Sequence, residues 1–96
     1  MIFAIIRARG SNWNHACSLE DQKDWSRHAE FMNGLHAEGI VLFGGPLEGT
    51  DDVLLIAQAD SAQQITDRLS EDCWSIAELL VTKSIVPWQL RLGSLG

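Results

Sequence analysis

Three stretches of this 96-residue chain are apolar almost without a break: Ile2-Phe3-Ala4-Ile5-Ile6, Ile40-Val41-Leu42-Phe43 and Val53-Leu54-Leu55-Ile56-Ala57. They are rich in strand formers and read as β-strands. A strand with one face in water alternates apolar and polar residues, and these do not. Both faces of their sheet therefore require cover. The chain supplies only two main helical segments, enough for one face. The other face predicts a second copy of the chain, packed sheet to sheet as a homodimer, because an exposed face of this kind is an aggregation liability.

The remaining punctuation fixes the order of elements. Residues 1–9 form the first strand and residues 10–14 a loop. Ser18 is placed to cap a helix that runs to about Ala37, with Glu20, Asp21 and Asp24 near its positive end and Gly39 as its stop. The second strand, 40–43, ends at Gly44-Gly45-Pro46. The third, 52–59, follows a turn over 48–51. Ser61 caps a helix over 62–69, residues 70–72 break it, and a short helical stretch covers 73–80. The last strand spans 82–92. Pro87 removes a ladder donor there, which predicts an edge strand or a bulge near Pro87. The order β-α-β-β-α-β is the ferredoxin-like arrangement, an α+β fold with a four-stranded antiparallel sheet. Residues 1–96 are expected to form a single domain.

Composition narrows function. Seven Lys and Arg against thirteen Asp and Glu give a formal net charge of −6. Such a chain lacks the positive field that nucleic acid or an anionic membrane requires. Cys17 and Cys73 belong to no CxxC pair and read as free thiols in a reducing compartment. No apolar run approaches the ~20 residues of a membrane span, and the first residues read as a strand, not a signal peptide. The expected location is the cytoplasm.

The first helix carries the sharpest chemical feature. At 100° per residue, Leu35 falls within about 20° of His28, Met32 within about 40°, and Phe31 and Trp25 within about 60°. His28 thus lies mid-stripe on the apolar face, where its imidazole needs a hydrogen-bond partner. A satisfied core histidine and a general acid/base group both fit that position. Asp72 precedes Cys73-Trp74-Ser75 and suits an N-cap. A cap leaves one carboxylate oxygen free to orient an imidazole. Gly44, Gly45 and Pro46 form a tight turn or bring backbone amides close to a ligand. Trp25, Trp74 and Trp88 build core or dimer seam, and any of them can line a pocket, as can Met32 beside His28. His36 reads as a surface histidine. His15 and Cys17 lack the further ligands that zinc needs, so no metal site is expected. Neither a phosphate loop nor a nucleophile-elbow motif occurs.

The segment Trp25-Ser26-Arg27-His28-Ala29-Glu30-Phe31-Met32, then Leu35, Gly39 and Gly44-Gly45-Pro46-Leu47, resembles the YciI-like (YCII-related) proteins. Asp72-Cys73-Trp74 and Val86-Pro87-Trp88 fit the same pattern, so the resemblance spans nearly the whole chain. It implies a ferredoxin-like protomer that forms a dimeric α/β barrel. It also implies a helix-borne histidine paired with an aspartate, here His28 and Asp72, with Cys73 where the family usually has proline. Dehydrochlorinase-like elimination among relatives implies a small cofactor-independent enzyme of lyase or isomerase type acting on a small, partly apolar molecule. A non-catalytic dimeric module that binds a small molecule in the same pocket is the alternative. A cofactor-free monooxygenase or isomerase of the wider barrel group is a third.

Overall fold

The computed structural model describes residues 1–94. Four strands, β1 (Ile2–Arg9), β2 (Val41–Pro46), β3 (Asp52–Gln58) and β4 (Leu80–Pro87), form one sheet in the order β2-β3-β1-β4. Every neighbouring pair is antiparallel. Helix α1 (Trp25–Ala37) follows β1, and α2 (Ala62–Leu69) with the short α3 (Cys73–Ile76) precedes β4. The architecture is α+β and ferredoxin-like, as the pattern of apolar runs predicts.

One face of the sheet is packed by the helices. Phe3 and Ile5 of β1 and Leu55 and Ala57 of β3 meet Leu35 of α1 and Ile65 and Leu69 of α2 in a buried core. A second cluster joins Trp13, Trp74, Leu79 and Leu80. The other face carries Ile2, Ala4 and Ile6 beside Leu54 and Ile56, with Phe43 and Val86 in register on the flanking strands. None of these residues belongs to a helix-packed cluster. Phe43 and Val86 are 58% and 53% exposed. The continuous apolar strands thus produce one covered face and one open face.

Several boundaries differ from the sequence-based expectation. α1 begins at Trp25 and not after Ser18. Residues Leu19–Asp21 form only a 3-10 turn, and Ser18 makes no side-chain cap bond. Asp24, at φ 60°, stops that turn from continuing into α1. The buried Gln22 side chain holds the intervening loop instead, donating to the carbonyls of Asn14, Cys17 and Ser18. This loop also buries Trp13, expected in open loop, edge-on to Trp74 at 5.6 Å between ring centroids.

Gly44-Gly45-Pro46 does not turn the chain but completes edge strand β2. A Cβ on Gly44 would lie 2.6 Å from Leu55 Cδ2, so glycine there admits the neighbouring core leucine. α3 stops at Ile76, and β4 begins two residues before the expected start and ends at Pro87. β4 is an edge strand, as Pro87 demands. The register shift in its ladder lies between Ile6 and Arg7 of β1, well away from Pro87. Gly39, at φ 80°, ends α1 as expected, and the Ser61 hydroxyl accepts from the Gln64 amide to cap α2. Trp74 is fully buried, whereas Trp88 is 44% exposed. Cys17 and Cys73 are free.

Candidate functional site

The strand alternation that buries Phe3 and Ile5 buries Arg7 next in line. A guanidinium inside a protein needs a counter-charge. It finds Asp72, with Nη1 3.1 Å from Oδ2 and the two side chains 1% and 0% exposed. Arg7 Nη2 donates to the Ser75 hydroxyl, which in turn donates to the Leu69 carbonyl at 2.7 Å. Arg7 Nε has no partner among the described residues.

Asp72 also caps α3, accepting from the Trp74 amide at 3.1 Å on Oδ1. The same carboxylate holds His28, whose Nδ1 lies 2.8 Å from Oδ2 and 3.0 Å from Oδ1. One carboxylate therefore serves a strand arginine, a helix cap and a helix histidine. The His28 ring lies flat on Trp74, with 3.9 Å between ring centroids and 5° between planes. Trp25 packs beside both rings, and the Trp74 Nε1 proton is donated to the Lys23 carbonyl at 2.6 Å. Trp74 on one face and Trp25 at the edge of the stacked pair restrict the turning of the imidazole.

Burial alone pushes the Asp72 carboxyl up. The hydrogen bond from His28, the His28 charge, the Trp74 amide and Arg7 together outweigh burial and hold it below its ordinary value. Asp72 is therefore an acceptor, and Nδ1 of His28 carries the proton it accepts. In the neutral ring Nε2 is then left with its lone pair. No protein group hydrogen bonds to Nε2 among the described residues.

A depressed native value has a definite consequence for stability. The contribution of Asp72 is present in full above the ordinary aspartate range, at about pH 4, and is lost as pH falls through the lower native value. Thermal melts should hold steady from neutrality to about pH 5 and fall steeply below pH 4. In Asp72→Asn the acid-side fall should be shallower. An equally steep fall in that variant would mean that other carboxylates govern acid unfolding.

His28 opens onto a cavity of about 420 Å³ between α1 and the β2 side of the sheet. That volume suits a small ring compound. The expected lining residues Trp25, Met32, Trp74, Gly44, Gly45 and Pro46 all border it. Asp72 does not; it sits behind His28. Apolar walls come from Leu19, Val53 and Leu55. Arg7, Asn33 and His36 also border the space. Sequence reading missed Arg7 as a site residue and took His36 for a plain surface group. The alternation Phe3-Ile5-Arg7 was the available signal for the first. Nothing in the sequence marks Ser75 as the group that holds Arg7. No cluster of three or more His, Cys, Asp or Glu able to hold a metal occurs among the described residues. No helix among them is long and apolar enough to cross a membrane.

Fold and site together describe a ferredoxin-like α+β protomer with a charge-coupled histidine at the wall of a small-molecule-sized cavity. Among solved structures, the chain is similar to 5-chloro-2-hydroxyhydroquinone dehydrochlorinase (TftG) from Burkholderia phenoliruptrix AC1100, in its complex with 2,5-dihydroxybenzoquinone. The TM-score is 0.69 at 23% identity, over 93% of this chain and 94% of that one. The likeness shows a shared α+β fold. No protein-family model matches the chain. No curated protein matches it.

Proposed function

We propose that this chain is a small YciI-like enzyme of lyase or isomerase type, in which Nε2 of His28 takes up and returns a proton for a small, partly apolar ring or enolisable carbonyl compound. The carrying observation is the one-sided histidine: Nδ1 bound to a buried, ionised Asp72, and the ring at the cavity wall. Nε2 takes a proton from an acidic C–H or O–H of the substrate. The electron pair left behind forms a new π bond as a leaving anion departs, or the proton returns at another carbon. Asp72 and the face of Trp74 balance the positive charge that develops on the ring. Protons and electrons close within this step, so it calls for no cofactor. The name of TftG and its dihydroxybenzoquinone complex support hydroxylated six-membered rings as the first class to test.

The test is a panel of chlorinated hydroquinones, lactones and enolisable carbonyl compounds. Chloride release and C–H exchange in deuterated water are followed by NMR. On any substrate so found, His28→Ala should lower turnover by about 10²- to 10⁴-fold. Full turnover in that variant would remove His28 from the chemistry. Ligands that bind without reacting would leave a binding module.

The active form is a homodimer joined through the open sheet face. The support is apolar surface on Ile6, Leu54, Phe43 and Val86 that no helix covers. Sedimentation should give twice the protomer mass. Leu54→Lys, which places a charge in the middle of that face, should give monomers. A wild-type monomer at high micromolar concentration would exclude this arrangement.

A further inference from the structure

His36 lies on α1 eight residues beyond His28 and borders the same cavity. Its Nδ1 is 2.8 Å from the Val41 carbonyl oxygen. A carbonyl only accepts, so Nδ1 donates and carries the proton. In the neutral ring Nε2 is then an acceptor, and no described residue donates to it. His36 therefore repeats the arrangement of His28. Each ring has Nδ1 tied to an oxygen of the protein and Nε2 without a protein partner. A backbone carbonyl fixes one tautomer and a buried carboxylate fixes the other.

Eight residues at 1.5 Å each put the two Cα atoms about 12 Å apart along the helix axis, and at 100° each about 80° apart around it. The two rings therefore border the cavity at different heights along α1. Along α1 between the two histidines the wall carries Met32 and the polar Asn33, and Val53 and Leu55 add apolar lining from the sheet. The space thus presents two acceptors on a lining that is mostly apolar.

We propose that His36 is a second ligand-binding residue of this cavity, a fixed acceptor that selects small rings bearing a hydroxyl donor opposite the group held by His28. The proposal rests on the acid/base reading of His28 and adds the specificity of the far end. His36 contacts substrate without moving its proton. Nothing in its role requires burial, and the ring is exposed. A purely structural His36, tying the end of α1 to the start of β2, would use Nδ1 alone and be indifferent to the ligand.

The experiment uses the full chain with ¹⁵N-labelled histidine and two probes. Hydroquinone has a donor at each end, and 4-methoxyphenol has one end capped by methyl. Hydroquinone should shift the Nε2 resonances of both His28 and His36 and bind about tenfold tighter than 4-methoxyphenol. His36→Phe keeps ring bulk and removes the acceptor. It should weaken hydroquinone about tenfold while changing 4-methoxyphenol less than twofold. A hydroquinone response at His28 alone, or equal weakening of both probes, would overturn the role of His36 and leave that of His28 standing. No response at either ring would overturn both. The wild-type titration decides the matter even if His36→Phe fails to fold.

Discussion

Asp72→Leu is expected to be the most destabilising substitution in the chain, by about 3–5 kcal/mol. The residue is fully buried, and its carboxylate is the counter-charge for an arginine that is 1% exposed. Leucine fills similar space but leaves the Arg7 Nη1 protons without an acceptor, beside an Nε that already lacks one. It also removes the cap on the Trp74 amide, worth about 1 kcal/mol. For a domain of this size the melting temperature should fall by well over 10 °C. The pair itself is a different matter. Replacing both charges with apolar groups avoids the unpaired ion, and desolvation had offset much of the attraction. Arg7→Met combined with Asp72→Leu should therefore recover most of the loss. Thermal and urea melts of the two single variants and the double variant give the coupling directly. If Asp72→Leu melted within 2–3 °C of wild type, Arg7 would have to find water or another acceptor, and its burial would be only nominal.

The open sheet face and the buried site were legible to different degrees, for physical reasons. Strands are specified by short-range pattern, so the four strands and their order were readable from apolar runs and turn residues. His28 was readable because a helix repeats every 3.6 residues and the stripe around it is apolar. Asp72 was readable as a cap, since the cap rule is local. That these two meet rests on a contact 44 residues apart, which pattern alone does not encode. Arg7 was hidden for the opposite reason. A charge in a strand reads as solvent-facing, and only its parity with Phe3 and Ile5 reveals that it points inward. Its acceptor Ser75 is visible only when β1 and α3 are packed together. The start of α1 was misplaced because Ser18 and three nearby acids imitate a helix start. Gln22, whose side chain bonds hold the chain in a loop there, carries no such local signature. The strand continuing through Gly44-Gly45-Pro46 was equally invisible. Gly44 serves the close approach of Leu55 from β3, not a turn, whereas a Cβ on Gly45 would meet nothing within 4 Å.

Asp72→Asn is expected to cost about 10²- to 10⁴-fold in turnover while leaving a folded protein, because it changes the tautomer and not the shape. Each oxygen of Asp72 already serves other donors: Oδ1 accepts from Trp74 and Oδ2 from Arg7, while His28 spans both. An asparagine amide therefore faces a donor whichever way it turns. With its NH₂ at the Oδ1 position it opposes the Trp74 amide; at the Oδ2 position it opposes Arg7. Either orientation sets both an N–H and a C=O within reach of Nδ1 of His28; the N–H lies nearer when it takes the Oδ2 position. Where the N–H takes the ring nitrogen, the ring accepts at Nδ1, and the proton moves to Nε2. The nitrogen facing the cavity becomes a donor, and the base is gone. The ¹⁵N spectrum of the ring reports this exchange without any substrate. Nδ1 should change from the protonated to the unprotonated type, and Nε2 the reverse. A moderate loss of stability, about 1–3 kcal/mol, accompanies the donor–donor conflict, so turnover is compared at a temperature where both forms are folded. Turnover within threefold of wild type, with the tautomer exchanged, would show that the lone pair on Nε2 does not carry the chemistry. An unchanged tautomer would show that the asparagine oxygen still faces His28. The substitution would then be silent about catalysis, and His28→Gln, which supplies no titratable nitrogen, would decide the role of the ring.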